Sequence, residues 1–321
     1  MTSLVAPPSM AELEEHRTEL RGYCYRMLGS VFDADDAVQE TLVKAWQAID
    51  RFEGRSSLRS WLYRIATNVC LDSLRSRQRR ALPMDLSSPV PATTEPVDVL
   101  PETTWLEPAP DGDVLPSTSD PAQQLVLRDS VRLAFVAALQ TLPPRQRAVL
   151  VLREVLCWQA SEVAELLETS VASVNSALQR ARATLTAAGL DDTTATGTLD
   201  EGTRALLDRY VALFEAYDIP ALVQLLREDA SISMPPFAMW LQGRQDLHDW
   251  YLGYGAACRG SRLVPVSANG MPAFAQYKPS PDGGLVPWSL QVLELSGGHV
   301  THVHHFLGDK IFERFGLPTR L

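Results

Sequence analysis

Between Pro83 and Pro121 the chain carries nine prolines, eight acids and not one lysine or arginine. Proline fixes φ and removes a backbone donor, and like charges repel, so neither a helix nor a buried strand can run through such a segment. The chain must therefore fold as separate blocks on either side of it. A length of 321 residues also exceeds what one core usually serves, and two or three domains are expected. Residues 83–121 read as an extended linker unable to form a core, reaching on the order of 100 Å at about 3.3 Å per residue. Such a linker would let its flanking blocks occupy separated sites. Trp105-Leu106 is its one apolar spot and reads as a docking contact.

Before the linker the apolar residues recur at helical spacing. A helix is expected over 12–31, with Leu13, Leu20, Tyr23, Cys24, Met27 and Leu28 inward. A second follows, capped by Asp33 with Asp36 three positions on. Its stripe is Ala34, Ala37, Val38, Leu42, Ala45, Trp46 and Ile49. After Gly54, Ser56 or Ser57 caps a third helix with Leu58, Leu62, Ile65 and Val69 inward, and it ends in Arg75-Ser76-Arg77-Gln78-Arg79-Arg80. Beyond the linker, helices are expected over 125–139, 145–155, 162–167 and 171–187. The last carries Val171, Val174, Leu178, Ala181 and Leu185 inward and polar residues outward. Two helices joined by a short turn, with a polar outer face on the second, make a helix-turn-helix.

From residue 203 the pattern changes to α+β. Helices are expected over 205–217, 219–227 and 246–258, then strands over 262–268, 273–277, 288–294 and 299–307. Asp282-Gly283-Gly284 and Ser296-Gly297-Gly298 mark turns. The expected domains are thus 12–82, the linker 83–121, 122–189, a second linker 190–202, and 203–321.

The net charge of −10 is unevenly spread. Residues 51–80 hold eight arginines against Glu53 and Asp72, beside the acidic strap. Phosphate neutralisation dominates affinity for duplex DNA, so a chain of this balance needs a partner that supplies positive surface. No stretch approaches the roughly 20 apolar residues of a membrane span, and the first ten residues lack a signal-peptide pattern. Cys24, Cys70, Cys157 and Cys258 show no metal spacing and read as reduced thiols of a cytoplasmic protein.

Four motifs occur in one order: Asp35-Asp36-Ala37-Val38-Gln39-Glu40-Thr41, Arg59-Ser60-Trp61-Leu62-Tyr63-Arg64-Ile65-Ala66-Thr67-Asn68, Leu142-Pro143-Pro144-Arg145-Gln146-Arg147, and Gln179-Arg180-Ala181-Arg182. In this order, with a linker between, residues 12–188 resemble RNA polymerase sigma factors of the extracytoplasmic-function (ECF) group. Met234-Pro235-Pro236, Trp240, Gly243-Arg244, Ala268-Asn269-Gly270, Pro272-Ala273 and Phe315-Gly316-Leu317-Pro318 resemble the subgroup that fuses a SnoaL-like domain to the sigma factor. The resemblance implies two all-α sigma domains plus an α+β domain of the NTF2-like, cone-shaped fold.

It also implies roles. Asp35, Asp36, Gln39, Glu40 and Lys44 would hold core RNA polymerase; the plainer reading is a solvated helix start whose acids suit the macrodipole. Trp61, Tyr63 and Arg64, with Phe52 just before, suit unpaired DNA, where bases stack on rings and phosphates meet cations. The alternative is that Trp61 and Phe52 are core. Asn68, Asp72 and Arg75 lie where the family contacts the downstream promoter element. Ser173, Asn175, Ser176, Gln179, Arg180 and Arg182 are recognition-helix candidates, and Asn175 replaces the family's frequent Lys.

In the last domain Tyr217, Trp240, Arg244, Trp250, Tyr251, Trp288, Gln291, His302 and His304 are candidates to line a pocket. His299, His302, His304 and His305 mimic a metal cluster, but on one strand His302 and His304 share a face that His299 and His305 do not; no metal is expected. The expected function is a sigma factor that binds core polymerase and promoter DNA, regulated in cis by its SnoaL-like domain. No cofactor, membrane contact or separate anti-sigma factor is expected, and the chain is not expected to be an enzyme. Alternatives are a last domain that binds or converts a small metabolite, and a helix-turn-helix repressor.

Overall fold

The computed structural model describes residues 8–54, 56–75, 78–187 and 200–321. The expected linker 190–202 lies, as far as residue 199, outside the described residues, as do Ser76 and Arg77 of the basic helix end. The described residues form two compact units: 8–80 with 111–187, and 81–110 with 200–321. The division is not the one expected from composition, because the proline-rich segment is shared between the units.

The first unit is all helical. Helices α1 (Met10–Glu15), α2 (Arg17–Leu28), α3 (Val31–Gln47) and α4 (Leu58–Arg75) precede the segment. The single helix expected over 12–31 is therefore two. Gly29, at φ +74°, ends α2 in the left-handed conformation that needs no Cβ. Ser30, not Asp33, caps α3 by accepting the Asp33 N–H at 3.1 Å. Asp33 instead pairs with Arg80 at 2.7 Å, and both are nearly buried. Ser57 caps α4 through the Ser60 N–H at 3.1 Å. Tyr23, Met27, Val38, Leu42, Leu62, Tyr63 and Val69 are buried where α2, α3 and α4 pack together. Trp46, expected inward, is 50% exposed; Ala45 and Ile49 already fill the inward places at that end of α3.

The segment itself holds a short helix where none was expected, α5 (Asp111–Val114), on a stretch with no proline; then come α6 (Pro121–Asp129), α7 (Leu133–Thr141), α8 (Pro144–Leu150), a π-turn over Val151–Val155, α9 (Ala160–Leu166) and α10 (Val171–Ala187). The run expected over 125–139 is broken between α6 and α7. Val174, Leu178, Ala181 and Leu185 of α10 are buried as expected, whereas Val171 is exposed.

Two buried arginines join the early helices to the later ones. Arg26 on α2 donates through Nε to Ser130 Oγ at 2.9 Å and through Nη2 to the Leu127 carbonyl at 3.0 Å. Arg147 on α8 donates to Gln140 Oε1 at 2.6 Å, to the Gln140 and Leu142 carbonyls at 3.1 and 3.3 Å, and to the Met27 carbonyl. The acceptors include carbonyls at the ends of α2 and α7, which have no partner within their own helices.

The second unit is built on one six-stranded sheet in the order β2-β1-β6-β5-β4-β3. The strands are β1 (Leu226–Ser233), β2 (Trp240–Gln242), β3 (Arg262–Ala268), β4 (Met271–Pro279), β5 (Leu285–Ser296) and β6 (His299–Leu307). Only the β1–β6 pairing is parallel. Helices α11 (Glu201–Ala216), α12 (Ile219–Leu222) and α13 (Arg244–Leu252) pack Tyr210, Phe214, Leu222, Leu247 and Trp250 with Ile232, Phe274, Leu293 and Val303 of the sheet. Helix α14 (Asp309–Arg314) sets Phe312 against Tyr277, ring centroids 5.3 Å apart. Asn269-Gly270 turns β3 into β4 with both residues at positive φ, as a two-residue hairpin requires. The helix expected over 219–227 stops at Leu222, and the chain enters β1 at Leu226.

The segment expected to be a free linker is bound along residues 81–110. The Val90 N–H donates to the Trp240 carbonyl at 2.9 Å, and the Leu100 N–H to the Pro236 carbonyl at 3.0 Å. The Ala238 and Asn269 N–H groups donate to the Asp98 and Ala109 carbonyls, each at 3.0 Å. Asn269 Oδ1 also accepts the Ala109 N–H at 2.9 Å, and Trp240 Nε1 donates to the Ser87 carbonyl at 2.8 Å. Trp105, Leu106 and Ala109 are buried. Proline forbids a regular ladder but leaves carbonyls and scattered N–H groups that isolated bridges can use.

Candidate nucleic-acid and partner surfaces

On α3 the acidic motif divides. Asp36, Gln39, Glu40 and Lys44 are exposed, and so are Val43 and Trp46 at 43% and 50%. Glu40 and Lys44 form an i,i+4 pair at 2.7 Å. Asp35 turns aside to Arg21, at 2.5 Å. The outer face thus carries acids beside two uncovered apolar side chains, a composition that suits a protein partner better than a merely solvated helix.

On α4, Asn68, Asp72 and Arg75 are exposed, and their i, i+4, i+7 spacing puts them on one face. Arg75 and Asp72 pair at 2.8 Å. Trp61 is half-buried, its ring 5.1 Å from that of Phe52. Tyr63 is not an open stacking platform. It is buried between Tyr23 and Trp158, with ring centroids 5.2 and 5.1 Å away, and burial holds its phenol far above the ordinary value. Arg64 reaches Glu165 on α9 at 3.4 Å. The sequence missed these two engagements because Trp158 and Glu165 lie about a hundred residues away.

On α10, Asn175, Gln179 and Arg182 are exposed along one line. Arg182 pairs with Glu154 at 2.6 Å. Arg180 donates to Ser176 Oγ at 2.7 Å. Ser173 lies in the first turn, where its N–H is accepted by Ser170 Oγ at 3.1 Å. All six candidates lie on the one helix that follows the turn.

The expected pocket set in the second unit is brought together only in part: Trp250 and Tyr251 share one apolar cluster, with Tyr217 and Trp288 packed against it, and His302 and His304 stand apart. Gln291 pairs with His305 across β5 and β6, whereas Val292 pairs with His304 and Glu294 with His302. Side chains alternate across a sheet, so His302 and His304 lie on the face opposite Gln291. There they stack, rings 5.9 Å apart; His304 meets Ser233 Oγ at 3.0 Å and Glu294 at 3.3 Å. Tyr217 donates to the Gly255 carbonyl at 2.9 Å and to that of Tyr251. Trp250 is core. Trp240 holds the strap, and Trp288 lies under Lys278 Nζ at 3.3 Å. Arg244 donates Nε to the Leu226 carbonyl at 2.7 Å and lines a shallow surface cleft with Pro220, Val223, Gln224, Gln245 and His248.

On the Gln291 face a polar line runs through the interior. Tyr210 donates to Gln291 Oε1 and Gln291 Nε2 to Gln276 Oε1, both at 2.9 Å. Ser289 Oγ donates to the same Gln276 oxygen at 2.9 Å and meets His305 Nδ1 at 3.2 Å. Burial, with His304 adding repulsion, pushes the His305 imidazole down to about 3. The unfolded chain takes up that proton near 6.5, so between these values the unfolded state binds more protons. Stability from this residue is complete above about pH 6.5 and falls below it by up to about 1.4 kcal/mol per pH unit. Urea denaturation across that range should give a steeper acid loss for the wild type than for His305→Gln. Equal slopes would remove His305 as the cause.

Among the described residues no group of three or more His, Cys, Asp or Glu side chains could hold a metal ion, and no helix is long and apolar enough to cross a membrane. Cys24, Cys70 and Cys258 are buried free thiols, and Cys157 is exposed.

An acidic helix, a basic aromatic helix and a helix-turn-helix define a transcription-initiation factor of the sigma-70 class. The sigma-70 region 2 family model matches residues 13–80 and the region 4 model residues 132–185. The chain is 46% identical over 318 residues to the ECF RNA polymerase sigma factor SigG of Mycobacterium tuberculosis, covering 97% of this chain and 84% of the relative. It is 28% identical over 330 residues to SigJ of the same species, covering 97% of each. The crystal structure of M. tuberculosis SigJ shares the fold over 97% of this chain and all of that one, with a TM-score of 0.61 at 20% identity. The chain belongs to the ECF RNA polymerase sigma factor family, whose members direct transcription initiation. Residues 13–80 are its region 2 and residues 132–185 its region 4.

Proposed function

We propose that this sigma factor is restrained in cis by its C-terminal unit, which acts by holding the chain between regions 2 and 4. The observation that carries the reading is the set of bonds from Pro236, Ala238, Trp240 and Asn269 to residues 87–109. Core polymerase docks on Asp36, Gln39, Glu40 and Lys44, with Asp35 orienting Arg21 behind them. Promoter DNA meets Trp61, Arg64, Asn68, Asp72 and Arg75 of α4. The upstream element meets Ser173, Asn175, Ser176, Gln179, Arg180 and Arg182 of α10. With the restraint built into the chain, no separate anti-sigma factor is required. The protein acts in the cytoplasm with the polymerase, without a cofactor and without catalysing a reaction of its own.

The test is transcription by purified core polymerase from the DNA upstream of the protein's own gene. Asn269→Gly keeps the left-handed turn and removes the acceptor for Ala109. It should raise transcript yield several-fold and open residues 81–110 to protease. Protease opening without a change in yield would end the cis-restraint reading. A point variant is preferable to truncation after Gly189, which would leave Trp105 and Leu106 without the unit they belong to.

A second reading, a small polar ligand in the C-terminal unit, is favoured by one observation. His305 Nε2 is buried with no hydrogen-bond partner, at the end of the Tyr210–Gln291–Gln276–Ser289 line.

A further inference from the structure

The π-turn at the end of α8 has an unusual result. The Leu156 N–H reaches back to the Val151 carbonyl and the Trp158 N–H to the Leu152 carbonyl, each at 3.0 Å. Cys157 between them takes φ +56°, a conformation that a side-chain-bearing residue seldom adopts without compensation. The turn carries Trp158 out of the helical path and lays its ring on α4 of region 2. The Arg59 Cζ sits 5.1 Å from the Tyr63 ring centroid and 5.4 Å from that of Trp158. Trp158 is 5% exposed, yet its indole N–H has no hydrogen-bond partner. The indole instead meets the Tyr63 ring tilted at 54° to it, centroids 5.1 Å apart, an apolar aromatic contact without a polar anchor. One turn further along α4, Arg64 takes the Glu165 carboxylate at 3.4 Å and the Glu165 carbonyl at 3.5 Å.

An aromatic ring on an aromatic platform, flanked by a cation and followed by an anion on a second arginine, reproduces the chemistry of single-stranded DNA on a protein. We propose that region 4 occupies the single-strand surface of region 2 as an internal mimic of unpaired DNA, with Trp158 in place of a base and Glu165 in place of a phosphate. The proposal rests on the reading of α4, with Arg64 on it, as the promoter-DNA surface, and adds to that surface Arg59 and the Tyr63 ring that Trp158 covers. While the mimic is in place the free protein holds unpaired DNA weakly. Drawing region 4 away bares the Tyr63 face and Arg64, beside Arg59, which stays paired with Glu19 at 2.8 Å. The surface thus becomes competent only when the two regions are held apart, as they must be to meet two separated promoter elements.

The experiment measures binding of the full-length protein, without polymerase, to a short fluorescent single strand copied from the non-template strand upstream of its own gene. Trp158→Ala should tighten binding roughly tenfold or more, since a stacked base contributes about that much or better. Glu165→Gln, at a residue 68% exposed and so without risk to the core, should tighten it a few-fold. Adding Arg64→Ala to either variant should cancel the gain. If neither single variant tightens binding, the mimic is overturned. If Arg64→Ala then weakens capture of the same strand by the polymerase-bound wild type, the single-strand surface itself survives. If both variants bind more tightly but Arg64→Ala has no effect in any background, the strand binds elsewhere and both readings fall.

Discussion

Arg147→Met should lower the unfolding free energy by about 3–5 kcal/mol, measured by urea denaturation of the full-length protein at neutral pH. The side chain ends where α2 and α7 end. Its guanidinium serves the Met27, Gln140 and Leu142 carbonyls and Gln140 Oε1. Burial is costly for that cation and pulls its pKa down to about 10. Methionine matches much of the stem but donates nothing. Each acceptor left without a partner costs about 1–3 kcal/mol, and the cation's released desolvation cost offsets only part of the sum. Arg26 does the same work from the other side, with Ser130 and Leu127 as acceptors. A loss below about 1 kcal/mol for Arg147→Met would mean that water reaches those carbonyls and that the arginine joins nothing.

The double replacement Asp36→Lys, Glu40→Lys should reduce affinity for core polymerase by roughly a hundredfold or more while leaving stability within about 0.5 kcal/mol. Both acids are exposed, so the fold does not depend on them, and the Glu40–Lys44 pair is too open to contribute much. On the proposed docking face, a polymerase surface that receives acids beside Val43 and Trp46 would meet like charge after the reversal, a penalty of several kcal/mol. Binding is read from fluorescence anisotropy of labelled protein titrated with core enzyme. Affinity unchanged within threefold would place the polymerase contact on another face of region 2. Asp35→Lys is a different experiment, because Asp35 holds Arg21, and its effect would mix folding with docking.

Much of the helical unit was legible because a 3.6-residue period is a strong local signal. Helix α10, β3 and β6 were bounded correctly, β6 with the help of the Ser296-Gly297-Gly298 turn before it. What sequence reading could not supply was partnership at a distance. Tyr63 reads as an exposed platform when only α4 is considered and becomes core once Trp158 and Tyr23 arrive on either side. His302 and His304 were correctly set on one strand face, yet grouping them with Gln291 required a β5–β6 register that no local pattern contains. Strand β1 was lost because Arg227, Glu228 and Asp229 interrupt its pattern; its inward Ile232 is set by pairing with Val303 of β6. The proline-rich segment misled most. Its composition limits regular structure to short turns and the four-residue α5, but isolated hydrogen bonds to Trp240 and Asn269 do not need more.

The central place of β6 in the sheet has a consequence for the order of synthesis. β6 lies between β1 and β5 and is the last strand made. The turns that hold residues 81–110, at Pro236 to Trp240 and at Asn269, belong to a sheet that cannot close until β6 has left the ribosome. Regions 2 and 4 are complete more than a hundred residues earlier. At 5–20 residues per second the interval is roughly ten seconds. On the proposed function, a newly made molecule therefore passes through an interval in which regions 2 and 4 are complete and the restraint is not yet in place.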